Sequence, residues 1–298
     1  MKYLKLNSKT FYILGVSALF ITALVSSYGV FSASFKEIGM EKDLNNFAKA
    51  SFDANNDTGV TPQIDIIATA AGAFGYGGKE VFGWETGKRW PIASITKLMT
   101  AVVVSEKMQA TDVVEITSEM LVDDRNSSFV KGQKYKVSDL VKAILMISSN
   151  DAAYALSVYY GQADFISAMN QKASGLRMKD TYYVDSAGLS AQNQSTVNDL
   201  VILAGYIRGY HPDIFKNTRK IKDTITEVRS GKRRTLTNIN EFAGQAYFIG
   251  GKTGTTPEAG ENLLSVFNIA GETKIIIVLG DKNRYVETQK IIIGSLWQ

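Results

Sequence analysis

Three short segments of the chain combine hydroxyl and ammonium side chains at spacings that suit acyl transfer. They are Ser94-Ile95-Thr96-Lys97, Ser148-Ser149-Asn150 and Lys252-Thr253-Gly254. A serine hydroxyl is a weak nucleophile until a base removes its proton. The chain has no cysteine and one histidine, so Lys97 is the obvious base for Ser94. A lysine is a base only when it is neutral, and burial or a nearby cation such as Lys252 favours that form.

The residues around Ser94 indicate how a helix would present its hydroxyl. Apolar residues recur at helical spacing from Ile92 to Met108. Ser94 is therefore expected in the first helical turn, where backbone N–H groups and the helix dipole favour an oxyanion. Lys97 lies one turn further on, on the same face. The alternative is that Ser94 is only the N-cap of this helix.

A second Ser-x-x-Lys segment, at residues 128–131, lacks this context. It runs into Gly132-Gln133 without apolar periodicity, which predicts a loop. Ser94 rather than Ser128 is therefore the candidate nucleophile.

The other two segments have a structural and a functional interpretation each. Lys252-Thr253-Gly254 is expected on a strand that lines the cleft, because Gly251 and Gly254 would let a substrate approach closely. An ordinary turn is the alternative. For Ser148-Ser149-Asn150 the alternative is a helix end followed by an N-cap.

Strand and helix patterns along the body suggest one sheet with a helical insert. Strands are predicted at residues 64–68, 80–84, 224–228, 234–238, 246–250, 263–269 and 274–279. Helices are predicted at residues 92–108, 136–147, 152–160, 164–174, 196–209 and 285–296. The expected fold class is α+β, with an antiparallel sheet formed by both chain ends and the helical insert packed on it. The cleft is expected where the sheet meets the insert.

The composition excludes disordered, collagen-like and disulfide-rich proteins. The chain has 298 residues, of which 45% are hydrophobic and 21% charged, and these values are typical of a globular protein. Without cysteine and with His211 alone, neither a metal site nor a cofactor is expected, and His211 before Pro212 is expected in a solvated turn. The net charge of +4 equals the four lysines of residues 1–36. The body therefore offers no electrostatic case for binding nucleic acid.

The N-terminal region predicts a membrane anchor. Residues 11–31 are uncharged and apolar, long enough as a helix to span a hydrocarbon core of about 30 Å. Three lysines precede this run, which places the N-terminus in the cytoplasm. We therefore expect a cytoplasmic tail at 1–10, a transmembrane signal-anchor at 11–31, a stem at 32–60 and a catalytic body at 61–298 on the outer face of the cell membrane. Cleavage by a signal peptidase at Ser32-Ala33-Ser34 is the alternative.

Taken together, the three segments resemble those of serine penicillin-binding proteins and β-lactamases. Over roughly residues 61–290 the chain resembles, more specifically, the low-molecular-mass D-alanyl-D-alanine carboxypeptidases. The likeness extends to residues 91–100, 148–153, 185–189 and 251–260. The resemblance implies a β-lactamase/transpeptidase-like fold, peptidoglycan stem peptides as substrates and β-lactams as inhibitors.

The resemblance also implies roles for single residues. Ser94 would attack the carbonyl of the penultimate D-alanine, Lys97 would accept its proton, and Ser148 would relay a proton to the departing D-alanine. The residues that would bind the substrate are Asn150, Lys252, Thr253, Thr255 and Arg284. The backbone N–H groups of Ser94 and Thr255 would form an oxyanion hole, and water would release the acyl group.

Two features depart from related patterns. Ser149 stands where the family usually has glycine. Between Asn150 and Gly251 the only glutamates are Glu227 and Glu241, so a deacylating glutamate and β-lactamase activity are not expected. Two alternatives to a carboxypeptidase remain: a D,D-endopeptidase that acts on peptidoglycan cross-links, and a catalytically silent peptidoglycan-binding protein on the same fold.

Overall fold

The computed structural model describes residues 65–122, 129–269 and 271–295. These residues belong to one compact unit that spans residues 63–298. The expected tail at 1–10, anchor at 11–31 and stem at 32–60 lie outside the described residues, as do residues 61–64 of the body. Within the described ranges, no helix combines the length and the apolar character needed to cross a bilayer.

Eleven strands are defined within the described residues, five of them in the main sheet. They are β1 (Ala70–Gly75), β2 (Glu80–Trp84), β3 (Trp90–Pro91), β4 (Val113–Glu115), β5 (Lys134–Lys136), β6 (Gln194–Ser195), β7 (Lys222–Thr226), β8 (Arg233–Thr237), β9 (Phe248–Thr256), β10 (Gly260–Ile269) and β11 (Glu272–Asp281). The main sheet has the order β2-β1-β11-β10-β9, and all its neighbours are antiparallel. The expectation of an antiparallel sheet built from both ends of the body is confirmed, and β9 is one of its edges.

Helices fill the chain between the two groups of sheet strands. They are α1 (Thr96–Lys107), α2 (Val137–Met146), α3 (Asn150–Tyr160), α4 (Gln162–Gly175), α5 (Val197–Tyr210), α6 (Pro212–Arg219) and, after the sheet, α7 (Arg284–Gly294). Many apolar side chains of α1, α2 and α5, such as Leu98, Leu140 and Leu203, are fully buried in a core that also takes residues from β1 and β11. The expected helical insert is thus present, and the edge strand β9 lies beside the short turn Ala93–Ile95 that precedes α1.

The first strand was predicted in the wrong place. It is β1, and not residues 64–68, because the glycine-rich stretch that suggested a loop is the strand itself. A Cβ on Gly72 would lie 2.6 Å from the Phe74 ring and 3.1 Å from Val197 of α5. Close packing of this buried strand under a helix requires small residues, and that requirement overrides the usual role of glycine as a strand breaker.

The prediction for His211 was also wrong. His211 lies between α5 and α6, and its Nε2 is 3.2 Å from Glu106 Oε1 of α1. Only 18% of its side chain is exposed. The unpredicted helix α6 begins at Pro212, whose fixed φ suits a first helical position. His211 therefore joins three helices rather than standing in solvent.

Candidate active site

A short 3-10 turn, rather than the first turn of the α-helix, carries Ser94. Ala93 has a φ of +47°, a left-handed conformation that costs a residue with a side chain about 1–3 kcal/mol. Two glycines pack against this turn. A Cβ on Gly188 would lie 1.9 Å from the Ala93 carbonyl oxygen, and one on Gly254 would lie 2.7 Å from the Ile92 carbonyl oxygen. The backbone that presents Ser94 is thus held from both sides.

Lys97 is fully buried, and its amine lies at the centre of the site. Its Nζ is 2.9 Å from Ser94 Oγ, 2.8 Å from Asn150 Oδ1 and 2.6 Å from the Ala187 carbonyl oxygen. Amide and carbonyl oxygens only accept hydrogen bonds. In its neutral form the amine has two N–H groups, which these two oxygens accept. Its lone pair then faces the Ser94 hydroxyl, which is the geometry of a general base.

The loop that follows α4 fixes the Ala187 carbonyl. The Asp185 carboxylate accepts hydrogen bonds from the backbone N–H groups of Ala187, Gly188, Leu189 and Ser190. Thr100 of α1 donates to the Ser186 carbonyl oxygen at 2.6 Å. Since both ends of the loop are fastened in this way, the oxygen that faces Lys97 is held in place.

Two contributors to this arrangement were not assigned a role from the sequence. One is the Ala187 carbonyl, and the other is Asn193, whose Nδ2 donates to Asp185 O and Thr96 Oγ1. A backbone carbonyl has no residue-type signal. The only indication was the resemblance of residues 185–189 to the family, which marked the segment without explaining it.

The segment Ser148-Ser149-Asn150 joins α2 to α3. It has both the structural role of a helix N-cap and contacts with the two lysines of the site. Ser149 is the N-cap of α3, and its Oγ accepts from the Ala152 N–H at 3.2 Å. Ser148 has a φ of +58°, and its Oγ lies 2.9 Å from Lys252 Nζ. Asn150, the first residue of α3, directs its amide oxygen to Lys97. The departure at Ser149 therefore provides a cap that orients the neighbouring Asn150.

Lys252 enters the cleft from the edge strand β9. Its Nζ donates to Ser148 Oγ and to the Thr253 carbonyl oxygen, both at 2.9 Å, and 1% of the residue is exposed. Burial lowers the pKa of Lys252 well below its ordinary value, and the positive charges of Lys97 and Arg284 lower it further. The expectation that the lysine of this segment lies on a strand lining the cleft is confirmed by its position.

The lowered pKa of Lys252 predicts a pH dependence of stability. Between the folded-state pKa and the ordinary value of 10.5, the unfolded chain binds a proton that the folded chain does not. The free energy of unfolding therefore rises with pH across that interval. The wild type should gain stability relative to Lys252→Met as the pH is raised toward 10.5. Urea unfolding of both proteins over a pH series measures the difference, and parallel profiles would contradict the assignment.

Arg284, at the start of α7, supports Thr255 rather than standing open in the cleft. Its guanidinium donates to the Gly254 and Asn262 carbonyl oxygens, to Thr255 Oγ1 and to Glu261 Oε2. Because the Thr255 oxygen accepts from Arg284, the hydroxyl proton of Thr255 is directed to another acceptor. A carboxylate placed beside Thr253 and Thr255 is such an acceptor. Direct contact between Arg284 and a substrate carboxylate stays a prediction.

Two other residues were considered for catalysis in the sequence analysis: Ser128 as a nucleophile and Glu227 as a deacylating glutamate. Ser128, of the second Ser-x-x-Lys segment, lies outside the described residues. Glu227 closes the β7–β8 hairpin, where it accepts from Ser230 Oγ at 2.6 Å and from the Lys134 N–H at 2.9 Å. These hydrogen bonds, with that from the Ser230 side chain the largest cause, lower the pKa of Glu227 to about 2. Its role is thus to hold the hairpin.

Solved structures of known proteins share this fold. Penicillin-binding protein D2 from Listeria monocytogenes, solved with ampicillin bound, is 29% identical, with a TM-score of 0.69 over 79% of this chain and 100% of that one. A mutant of the Streptomyces K15 DD-transpeptidase is 26% identical, with a TM-score of 0.73 over 79% of this chain and 100% of that one.

Two relatives by sequence have different printed activities. The D-alanyl-D-alanine carboxypeptidase DacC of Escherichia coli is 32% identical over 67% of this chain and 54% of its own length. A D-alanyl-D-alanine endopeptidase of Haemophilus influenzae is 35% identical over 59% of this chain and 62% of its own length. The chain thus spans between half and two thirds of the length of these two relatives.

The family model for D-alanyl-D-alanine carboxypeptidases of peptidase family S11 matches residues 77–283, which contain Ser94, Lys97, Ser148 and Lys252 but end one residue before Arg284. This match covers more than half of the chain. The chain therefore belongs to the S11 family of D-alanyl-D-alanine carboxypeptidases.

Proposed function

We propose that this chain is a serine D,D-carboxypeptidase that removes the terminal D-alanine from peptidoglycan stem peptides. The observation that carries the proposal is the contact of 2.9 Å between the buried Lys97 amine and Ser94 Oγ. Membership of the S11 family and the printed names of the relatives support the same activity. A silent binding protein would not need a buried amine beside a serine hydroxyl, since burying an ionisable group is costly.

The acylation step uses the polar contacts around Lys97. Neutral Lys97 takes the proton of Ser94 as Oγ attacks the carbonyl carbon of the penultimate D-alanine. The oxyanion then forms near the backbone N–H groups of Ser94 and Thr255, which stabilise the developing charge. The Asn150 and Ala187 oxygens accept from the resulting ammonium, so the proton transfer does not leave a buried charge without partners.

Breakdown of the tetrahedral intermediate requires a proton on the departing amine. Ser148 donates its hydroxyl proton to the nitrogen of the terminal D-alanine, and Lys252 replaces it along their hydrogen bond of 2.9 Å. The amide C–N bond breaks, D-alanine leaves, and the acyl group remains on Ser94. Water then attacks the ester, and its proton passes through Ser148 to Lys252. Lys97 returns its proton to Ser94 Oγ as the ester C–O bond breaks, which restores the free serine and both amines.

The carboxylate of the terminal D-alanine selects the substrate. We assign its binding to the hydroxyl groups of Thr253 and Thr255 and to the positive charges of Lys252 and Arg284. The Arg284 guanidinium orients the Thr255 hydroxyl as a donor. β-Lactams carry a carboxylate next to a reactive amide, so the same groups support their binding and the acylation of Ser94.

Release of D-alanine tests the proposed activity directly. The full-length protein in detergent, given a stem pentapeptide that ends in D-Ala-D-Ala, should release free D-alanine. A matched peptide that ends in D-Ala-L-Ala is the control and should yield no alanine above background. The proposal is wrong if neither peptide is cleaved, or if both are cleaved equally.

Asp185 provides a test of the loop that positions Lys97. Asp185→Ala leaves four backbone N–H groups without their acceptor, and we expect a loss of about 2–5 kcal/mol in the free energy of unfolding. Displacement of the Ala187 carbonyl should also slow acylation by penicillin by about tenfold to a hundredfold. Denaturant unfolding and a penicillin acylation rate measure the two effects.

The matched variant for this prediction is Asp185→Asn. Its amide oxygen can replace the oxygen that accepts three of the four hydrogen bonds, so it should retain more stability and more activity than Asp185→Ala. Equal stability and equal rates in the wild type and both variants would contradict the role given to the loop.

We propose further that residues 11–31 anchor the protein in the cell membrane, with the peptidase body on the outer face. The length of the uncharged run and the preceding lysines support this arrangement. Full-length protein should stay with membranes in alkaline carbonate and dissolve in detergent. Protease added outside intact spheroplasts should digest the body. Carbonate release, or protection of the body from the protease, would contradict the arrangement.

A further inference from the structure

A strongly basic segment of the chain takes no part in the mechanism above. Residues 216–234 contain eight lysine and arginine residues and only two acidic residues, which gives a net charge of +6. Residues 37–298 are neutral as a whole, so the rest of the body carries the opposite charge. The positive charge is thus concentrated on α6 and the β7–β8 hairpin, where it attracts anions locally.

The two acidic residues of this segment are already bound within the protein. Asp223 forms an ion pair of 2.7 Å with a lysine of the same segment. The Glu227 carboxylate accepts hydrogen bonds within the hairpin and from strand β5. In the part of the chain that the structure describes, no ion pair involves the exposed side chains of Lys222, Lys232 or Arg233. Their charges are therefore available to a partner.

The outer face of the β7–β8 hairpin is polar along its whole length. Ile225 and Leu236 are buried and define the inner face. Residues paired across the two strands share a face. The pairs on the outer face are Lys222 with Thr237, Thr224 with Thr235, and Thr226 with Arg233. Four threonine hydroxyls thus form a ladder with a cation at each end.

The hairpin is fixed beside the candidate active site. The Thr226 N–H donates to Asp139 Oδ2 of α2 at 3.0 Å. The Ile239 N–H, two residues after β8, donates at 3.0 Å to the carbonyl oxygen of Met146, the last residue of α2. Ser148 follows Met146 by two residues. The outer face is therefore preformed, and it extends from the margin of the catalytic cleft.

A linear polyanion fits this face better than a bilayer does. Each strand has five residues, so the face is about 17 Å long, with cations at both ends. A chain of phosphodiester groups places negative charges at intervals along such a face, and phosphate oxygens accept hydrogen bonds from hydroxyl and cationic groups. An interfacial membrane-binding element also buries large apolar side chains in the bilayer. None of the six side chains of the outer face is large and apolar.

We propose that the outer face of the β7–β8 hairpin binds a linear cell-wall polymer whose repeats are joined by phosphodiester groups. The wall as the source of the polymer follows from the outer-face arrangement proposed above. Binding does not require the peptidase activity, because no residue of this face belongs to the Ser94 site. A polymer attached to the wall and held beside α2 keeps the cleft near wall-bound stem peptides, which raises their effective concentration.

Binding of a fluorescent poly(glycerol phosphate) chain to the full-length protein in neutral detergent tests the inference. The test variant removes three charges of the hairpin: Lys222→Gln, Lys232→Gln and Arg233→Gln. We expect it to raise the Kd at least about tenfold. The slope of log Kd against log salt should fall by about 2, since each phosphate contact to a single-stranded polyanion contributes about 0.7.

A matched control removes three charges from exposed lysines elsewhere on the body. Its substitutions are Lys79→Gln, Lys107→Gln and Lys179→Gln. It should bind the polymer within about twofold of the wild type. Ser94→Ala should also bind as the wild type does, so a failure of catalysis and a failure of binding are separate results.

Three outcomes would overturn the inference. The first is that the wild type binds the polymer no better than uncharged dextran, a comparison that does not depend on the folding of any variant. The second is equal affinity of the wild type and the folded hairpin variant. The third is loss of polymer binding when phosphatidylglycerol is added to the micelles at an equal phosphate concentration, which would assign the surface to lipid headgroups.

Discussion

Replacement of Lys97 by methionine is expected to slow acylation of Ser94 by about 100- to 10,000-fold, the range supplied by a well-placed general base. Methionine is unbranched, so the side chain can occupy similar space without an amine. The Ser94 hydroxyl then loses the base at 2.9 Å. The rate of covalent labelling by a fluorescent penicillin, measured over time at fixed pH, determines the effect.

The same substitution changes stability in two opposing ways. The oxygens of Asn150 and Ala187 lose their donor at Lys97, while the cost of burying an amine is removed. A urea unfolding curve must therefore accompany the rate. Lys107→Met, in the last turn of α1, is the matched control, because Lys107 is exposed on the same helix and should tolerate the change. A folded Lys97→Met protein that is labelled at the wild-type rate would refute the assignment of Lys97 as base.

Replacement of Ser94 by alanine is expected to lower the turnover of the stem pentapeptide by at least about 10,000-fold, since no acyl-enzyme can form. Loss of the Ser94 hydroxyl, which faces the cleft, should leave the fold intact. The 3-10 turn is packed against Gly188 and Gly254 and does not depend on the Ser94 side chain. Release of D-alanine, followed over hours at high enzyme concentration, gives the residual rate.

Ser128→Ala is the matched control for this variant, since Ser128 begins the second Ser-x-x-Lys segment of the chain. It should retain the wild-type rate. If Ser128→Ala abolished turnover and Ser94→Ala did not, the nucleophile would belong to the other segment. If both variants retained full turnover, serine catalysis by either segment would be excluded.

The site was more predictable from the sequence than its surroundings. Each of the segments at Ser94, Ser148 and Lys252 is a weak signal for a catalytic site on its own. Their occurrence together in one chain is a strong signal, because a single site accounts for all three. The structure places Lys97 Nζ against Ser94 and Lys252 Nζ against Ser148. Residue types and spacing predict such side-chain chemistry well, because the reacting groups are side chains whose identity is given by the residue type.

Features set by tertiary packing were predicted poorly. Glycine at position 72 suggested a loop, yet contact with Phe74 and Val197 makes it part of a buried strand. His211 before Pro212 suggested a solvated turn, yet its ring contacts the Glu106 carboxylate of α1, which is distant in sequence. In both cases a neighbour far away in the chain outweighs the local signal.

Backbone groups and cavities were not predictable at all. The Ala187 carbonyl contacts Lys97 at 2.6 Å, but any residue type carries a carbonyl. The space beyond Thr255 depends on how the Ile239–Glu241 segment meets the start of α7, which no short motif encodes.

Peptide mapping by mass spectrometry after treatment with benzylpenicillin tests the central claim most directly. The full-length protein in detergent should gain one covalent adduct with the mass of the intact drug, stable on the peptide that contains Ser94 and absent from Ser94→Ala. An adduct on Ser128, or no adduct on protein shown to be folded, would contradict the account. Rapid hydrolysis of the drug without labelled protein would do the same, because the site would then act as a β-lactamase.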